Sequence, residues 1–204
     1  EMELTLPNAM TAIPFGSSRA EVVAEPEDGT KTWRWEDIGT GGILSAGDYV
    51  REDIQAGGMT IELYYGRKHQ DIMTQANAAD AVRDVVEYCA AHYGTLSFGS
   101  GETLKLIQSR IAGGGYAAGG ASLLDESDFT AANLNRAEKG SGDSEVMIHE
   151  LVHQWWGLGN MFDIPEPDSP WSAEGLTVYT TYRIVKELYG EEYARTHYID
   201  QWQQ

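Results

Sequence analysis

Apolar and polar residues alternate through much of the first 66 positions, which is the period of a β-strand with one buried face. Two of these stretches, Ala20–Glu25 and Thr30–Glu36, flank the turn-forming sequence Glu-Pro-Glu-Asp-Gly and predict a hairpin. Further strands are expected over Ile43–Ile54 and Met59–Tyr65, the second with one buried face. Residues 1–66 are therefore predicted to be a β-strand segment.

The hydrophobic period lengthens after residue 66. From Thr74 to Tyr93 the apolar residues recur about every 3.6 positions, which predicts an amphipathic helix that ends at Gly94. The remaining elements expected are short strands over 103–108 and 121–124, on either side of a glycine-rich stretch, and helices over 143–156 and 172–189. This mixture predicts an α+β protein in which residues 67–204 follow the β segment as a second domain.

Charge narrows the range of partners. Lys and Arg number 14 against 32 Asp and Glu, which gives a formal net charge of −18, and no basic cluster offsets it. Such a surface repels phosphate backbones and anionic headgroups, so no nucleic-acid partner is expected. The single cysteine, Cys89, excludes an internal disulfide and falls on the apolar face of its predicted helix, where a core position is expected.

The ends of the chain bear on its context. No apolar run approaches the ~18–20 residues of a membrane span, and no secretory signal peptide opens the chain. The chain begins at Glu1 and stops at Gln204 within a helical pattern. We therefore expect it to be part of a longer parent protein, whose other segments could include membrane anchors. The sequence leaves the localisation open.

The residues that can carry chemistry are concentrated in His149-Glu150-Leu151-Val152-His153, an HExxH sequence on a predicted helix. Residues four apart lie on one helix face, so both imidazoles can point at one metal ion. Glu150 lies about 100° round the helix from His149 and can reach a water on that metal without competing as a ligand. Two neutral imidazoles would anchor Zn²⁺, while the carboxylate would take a proton from the water that attacks a carbonyl.

The flanks of the motif argue that its helix is buried. Apolar residues surround it nearly on all sides: Val146, Met147, Ile148, Leu151, Val152, Trp155 and Trp156. The polar side chains then form one stripe, which consists of His149, Glu150, His153 and Gln154. Polar groups are costly in such a place unless they are paired or bind a metal, so the stripe favours a metal site.

A catalytic zinc usually takes three protein ligands and leaves one position open. Asp163, Glu166 and Asp168 lie on a proline-rich loop and are candidates for the third ligand. Glu174 is better placed, because it lies in the first turn of the next predicted helix. That turn would reach the metal if the helix packed antiparallel to the HExxH helix.

The segments HELVHQWWG and WSAEGLTVY resemble the gluzincin zinc aminopeptidases, the membrane alanyl aminopeptidase family that also contains leukotriene A4 hydrolase. The resemblance implies a thermolysin-like zincin catalytic domain over 67–204, preceded in 1–66 by the last strands of an N-terminal β-domain. It also implies peptide substrates and one Zn²⁺ held by His149, His153 and Glu174, with Glu150 as general base.

The chain departs from the family's spacing between ligands. Twenty residues separate His153 from Glu174, whereas the family has eighteen. The family's sequence after the second His suggests a two-residue insertion before Asn160, in the turn that ends the helix. An insertion there need not move either ligand.

A second departure concerns the family's Gly-Ala-Met-Glu-Asn segment, whose Glu holds the α-amine of the substrate. The segment should fall within 114–120, where Ala117 or Ala118 takes the place of the acid. What remains is a backbone role, in which an edge strand near 115–122 pairs with an extended peptide. The expected substrate-binding residues are Gly115, Ala117, Ala118, Gly119 and Gly120. Exopeptidase specificity is therefore in doubt, whereas peptide hydrolysis is not.

A third departure concerns a tyrosine that stabilises the oxyanion in the family, well downstream of the zinc Glu. This chain ends thirty residues after Glu174, and neither Tyr179 nor Tyr182 matches that position. Losing such a donor costs on the order of 10²–10³ in rate, so the chain alone is expected to be weakly active.

Two hypotheses about function follow from these patterns. The first is an aminopeptidase-like zinc metallopeptidase in which Glu150 deprotonates the attacking water. The alternative is a non-catalytic, zinc-containing peptide-binding or sensory module of a larger, membrane-anchored protein. The missing amine-binding acid favours the alternative, and the intact Glu150 favours the enzyme.

Overall fold

A computed structural model of the chain describes residues 1–36, 44–96, 103–130, 145–158, 161–162 and 171–203. Within these ranges the protein is an α+β structure, as the sequence predicts. A five-stranded sheet carries helices on one face and N-terminal strands on the other. The strands are β1 (Met2–Pro7), β2 (Thr11–Pro14), β3 (Glu21–Ala24), β4 (Thr30–Trp35), β5 (Leu44–Gly47), β6 (Tyr49–Ala56), β7 (Met59–Gly66), β8 (Leu104–Ser109), β9 (Gly115–Ala118), β10 (Ala121–Asp125), β11 (Trp156–Gly157) and β12 (Met161–Phe162).

The five-stranded sheet has the order β6-β7-β8-β10-β9. Strands β7, β8 and β10 are parallel, whereas β9 runs antiparallel to β10 and forms one edge. The predicted hairpin of β3 and β4 is confirmed, with a register shift between Val22 and Ala24, and β1 completes its sheet. Smaller sheets pair β2 with β5 and β11 with β12.

Two expectations about the N-terminal strands are wrong. The strand expected over 43–54 breaks at Asp48, whose carbonyl accepts a hydrogen bond from Arg67 N (3.0 Å), so β5 and β6 enter different sheets. Strand β7 is buried on both faces, because β2 covers the face that alternation alone leaves open. The predicted division at residue 66 stays a prediction, although β7 pairs with β8 across it.

The helices of the described residues are α1 (Gln70–Gln75), α2 (Ala78–Tyr93), α3 (Glu145–Val152), α4 (Leu176–Tyr189), α5 (Glu191–Ala194) and α6 (Asp200–Trp202). The helix expected over 74–93 begins only after Asn77, whose left-handed φ of 52° separates α1 from α2. The helix expected over 172–189 opens with a π-helical turn, Trp171–Gly175, and continues as α4. None of the helices in the described ranges is long and apolar enough to span a bilayer.

The main hydrophobic core lies between the sheet and helices α2, α3 and α4. Cys89 is fully buried in it, as expected, and burial raises the pKa of its thiol far above the ordinary value. A second cluster, which includes Ile13 and Phe15, covers the opposite face of the sheet. The parallel strands and the site residues are therefore held between two packed layers.

A buried charged network joins the N-terminal segment to the sheet. Lys105 is 1% exposed, and its Nζ donates to the carbonyls of Pro14 (2.9 Å), Gly16 (2.6 Å) and Ser18. Burial lowers the pKa of this ammonium to about 8. Its neighbour in register is Glu62, which is also fully buried.

Glu62 is in turn fully partnered. Arg19 and Arg51 form ion pairs with it at 2.5 Å and 3.0 Å, and the Tyr64 hydroxyl donates to its other oxygen at 2.8 Å. Close to this network, Gly120 has a φ of +86° and lies directly against the backbone of Ser17. Residues 14–18 are thus fixed beside the turn between β9 and β10.

Candidate metal centre

Helix α3 places three residues of the HExxH sequence on adjacent parts of its surface. His149 and Glu150 lie in its last turn, and His153 directly follows Val152. The His153 amide still donates to His149 O (3.1 Å), so the helical geometry extends to the second histidine. Glu150 and His153 are buried and His149 is half-buried, so all three face the protein interior.

Glu174 approaches the same point from the π-helical turn before α4. Its Oε2 lies 3.2 Å from His149 Nε2, and its Oε1 lies 3.4 Å from His153 Nε2. The two histidine Nε2 atoms are 3.0 Å apart. The predicted trio therefore comes together, with all three donor atoms within 4.8 Å of one another.

These separations fit a tetrahedral zinc ion. Ligand atoms about 2.0–2.1 Å from zinc at tetrahedral angles lie roughly 3.3 Å from one another. The three observed separations, 3.0, 3.2 and 3.4 Å, are close to that value. Two imidazoles and one carboxylate also form a donor set common at catalytic zinc, and three ligands leave the fourth position open.

The hydrogen bonds of His153 leave its Nε2 available to a metal. His153 Nδ1 lies 3.3 Å from Trp156 O and 3.2 Å from Thr177 Oγ1, so a proton on Nδ1 has a carbonyl acceptor. That tautomer leaves the Nε2 lone pair free. Burial, with the neighbouring His153, lowers the pKa of His149 and favours the neutral imidazole.

Glu150 is a buried carboxylate beside the trio. Burial raises its pKa to about 7, and the negative charge of Glu174 adds to the effect. Gly115 of β9 lies against its side chain: a Cβ at position 115 would overlap Glu150 Cγ and come within 2.6 Å of Oε1. Glu150 therefore occupies space that a larger residue at position 115 would fill.

The trio and Glu150 line an open pocket of about 390 Å³. Of the predicted substrate-binding residues, Gly115 and Ala117 line it, together with Tyr116 between them. Ala118, Gly119 and Gly120 do not line it and form the turn at the far end of β9. Their predicted role in binding stays a prediction. The loop candidates Asp163, Glu166 and Asp168 lie outside the described residues.

Gln154 is a site residue to which the sequence assigned no role beyond membership of the polar stripe. It is 1% exposed, and its side-chain amide bonds to the turn between β9 and β10. Ser122 of β10 adds a second link, because its hydroxyl donates to Glu150 O (2.7 Å). The sequence contains one sign of this role. His149-Glu150 is followed four residues later by His153-Gln154, so Gln154 stands next to its histidine as Glu150 does.

Comparison with known proteins gives limited sequence matches. No family model matches the chain. Over 74 residues, or 36% of the chain, it is 35% identical to Leucine aminopeptidase 2 of Emericella nidulans. Over a stretch of the same length it is 34% identical to Leucine aminopeptidase 2 of Aspergillus terreus. Each match spans 12% of the fungal protein.

The fold itself is matched much more completely. A mutant of an M1 zinc metallopeptidase from Deinococcus radiodurans superposes with a TM-score of 0.61 at 15% identity. The match covers 98% of this chain and 43% of that protein. This fold and the fungal relatives together confirm what the two motifs predict, a resemblance of the chain to the gluzincin zinc aminopeptidases.

Proposed function

We propose that the protein is a zinc-dependent metallopeptidase, aminopeptidase-like, with the thermolysin-like arrangement that the resemblance implies. The observation that carries the proposal is the junction of three elements at one pocket. Helix α3 and the residue after it supply two histidines and a carboxylate, the turn before α4 supplies Glu174, and β9 is an edge strand of the sheet as far as the described residues go. The named activities of the matched proteins agree with this chemistry.

Each residue has a part in peptide hydrolysis. His149, His153 and Glu174 would hold one Zn²⁺, which when bound supplies a Lewis acid that polarises a carbonyl and acidifies water. The Glu150 carboxylate accepts the proton of the attacking water and passes it to the leaving amine. Glu150 lines the same pocket as the three ligands, so its carboxylate is placed to exchange a proton with a water at their open position.

Strand β9 would bind the substrate backbone. It is an edge strand whose first three residues line the pocket beside Glu150. An extended peptide can add to such an edge through main-chain hydrogen bonds, which position it without regard to side chains. The small residues Gly115 and Ala117 leave room for that approach.

A second candidate is a zinc-containing module that binds peptides without cleaving them. Among the described residues that line the pocket, the carboxylates are Glu150 and Glu174, and the proposal already gives both a role. No described acid is thus left there to hold a substrate ammonium. This observation favours either a peptidase indifferent to the free amine or a peptide-binding module.

The metal assignment is tested first. Protein purified without chelator should contain about one equivalent of zinc, and His153→Ala should reduce it to background because two ligands rarely retain the ion. Metal content is measured by atomic emission. If Glu174→Ala kept the wild-type zinc content and affinity, Glu174 would be excluded and the acids Asp163, Glu166 and Asp168 would become the candidates.

The catalytic assignment is tested with the full-length protein, by hydrolysis of a mixture of internally quenched peptides. Glu150→Gln should keep its zinc and lose about 10²–10⁴-fold in rate, because the amide cannot take the proton. Glu187→Gln, on the exposed part of α4, is the matched control and should equal the wild type. Equal rates for wild type and Glu150→Gln would refute the mechanism, and peptide binding without cleavage would establish the second candidate.

A further inference from the structure

We infer that Gln154 is a positioning residue that holds the substrate-binding edge strand β9 in register with the metal ligands. The role of β9 in binding peptide rests on the proposed function. The contacts of Gln154 with the strand do not, so the two can be tested separately.

The side-chain amide of Gln154 matches the backbone groups of the β9–β10 turn. Its Oε1 accepts from Gly120 N (2.8 Å), and its Nε2 donates to Ala118 O (2.9 Å) and Ala121 O (3.2 Å). Ser122 Oγ also lies 3.3 Å from Nε2. The side-chain oxygen of Gln154 thus meets one backbone N–H, and the two protons of its NH₂ group meet two carbonyls. Among side chains of this length, only the glutamine amide offers one acceptor and two donors in this way.

The strand contacts α3 at both of its ends. At its beginning, Gly115 lies against Glu150, and at its end the turn bonds to Gln154. Glu150 lies in α3 and Gln154 in the turn that follows it, four residues later, and both reach β9. Each directly follows a histidine of the candidate centre, His149 or His153. The same separation of four residues therefore lies between the two metal ligands and between the two contacts with β9.

This arrangement makes the place of the strand depend on one buried amide. Without it, the buried Gly120 N would lose its side-chain acceptor and the two carbonyls would lose a donor, which favours movement of the turn toward water. The donor atoms of His149, His153 and Glu174 do not bond to the Gln154 side chain. Loss of the amide should therefore affect β9 and leave metal binding in place.

The test that needs no activity is hydrogen exchange on the zinc-loaded chain. Gln154→Met keeps the length of the side chain and removes its hydrogen bonds, so the Gly120 amide should exchange at least about tenfold faster, with faster exchange along β9. Zinc affinity should stay within about twofold of the wild type. Gln108→Met is the matched control, because Gln108 is also buried and binds a backbone amide, Gly66 N, elsewhere on the sheet.

A second variant guards against a failure to fold. Gln154→Glu keeps the shape and the acceptor for Gly120 N but loses both donors, so exchange should rise along β9 while Gly120 stays protected. In either variant, KM for a cleaved peptide should rise about tenfold with a smaller change in kcat, whereas Gln108→Met should leave KM unchanged.

The outcomes separate the two proposals. Unchanged exchange of β9 and Gly120 in both Gln154 variants, or a zinc affinity that falls with them, would overturn the positioning role. Absence of hydrolysis by the full-length wild type would overturn the peptidase but leave the exchange result standing. A KM change equal in Gln108→Met and Gln154→Met would show a general loss of stability and also overturn the inference.

Discussion

Gly115 contributes to the site by having no side chain, because the Glu150 side chain occupies the space where a Cβ would lie. Gly115→Ala should force the Glu150 carboxylate out of its observed position, because the added Cβ would overlap its Cγ. We expect hydrolysis to fall by about 10²-fold, as for a misplaced general base, while zinc content is unchanged. Glu187→Gln, the exposed control on α4, should again equal the wild type. Full activity of Gly115→Ala would contradict the assignment.

A second prediction at this scale concerns the substrate amine. An ammonium held in a cleft by a carboxylate gains a few kcal/mol, and Ala117 and Ala118 offer no such partner. Acetylating the N-terminus of a cleaved peptide should therefore change kcat/KM by much less than ~100-fold. Matched free and acetylated peptides provide the measurement. A strong preference for the free amine would mean that another acid, such as Asp125, Glu126, Glu166 or Asp168, holds it.

Individual site residues differed in how well the sequence revealed them. His149 and His153 were predictable because a spacing of four fixes a common helix face, and Glu174 followed from its place in a first turn. Lys105 and Gln154 were not, because their roles depend on backbone carbonyls that the fold brings from distant positions. Contacts between residues that are distant in sequence produce no pattern in the sequence around either residue.

Among the elements, β8 has a role beyond its place in the sheet. Lys105→Met should destabilise the protein by about 3 kcal/mol, because it removes the ammonium that donates to three buried carbonyls and a charge facing Glu62. Urea unfolding followed by fluorescence gives the free energy. Lys68→Met, at an exposed ion pair with Glu126, is the control and should cost less than about 1 kcal/mol.

The sequence predicted the bounds of an element well where local sequence determines them. It predicted them poorly where pairing with a distant strand determines them. The hairpin of β3 and β4 follows from its turn sequence. The break at Asp48 does not, because it arises when the chain leaves the β2 partner and joins β7. The burial of both faces of β7 likewise depends on Ile13 and Phe15, which lie about 50 positions before Tyr64.

At the scale of the whole molecule, the metal would join two parts of the fold. The ligands come from α3 and from the turn before α4, so zinc would cross-link segments about twenty residues apart in sequence. A ligand bound only by the folded state at 100 times its Kd adds about 2.7 kcal/mol. For a chain of this size the Tm should rise by about 5–10 °C.

Thermal unfolding with and without a chelator measures this shift. His153→Ala should unfold at the temperature of the metal-free wild type and should not respond to added zinc. An equal response of His153→Ala and wild type to zinc would place the stabilising ion elsewhere on the acidic surface.

The glycine-rich stretch, finally, has consequences for mutational tolerance. If codons 115–120 were randomised and variants selected only for folding, position 119 should drift freely, whereas position 120 should stay glycine because of its φ and its closeness to Ser17. Position 115 should also drift, since only the Glu150 side chain need move. Selection for turnover would restore glycine at 115. Gly120 would thus be required for folding and Gly115 for catalysis, although the two glycines belong to one glycine-rich stretch.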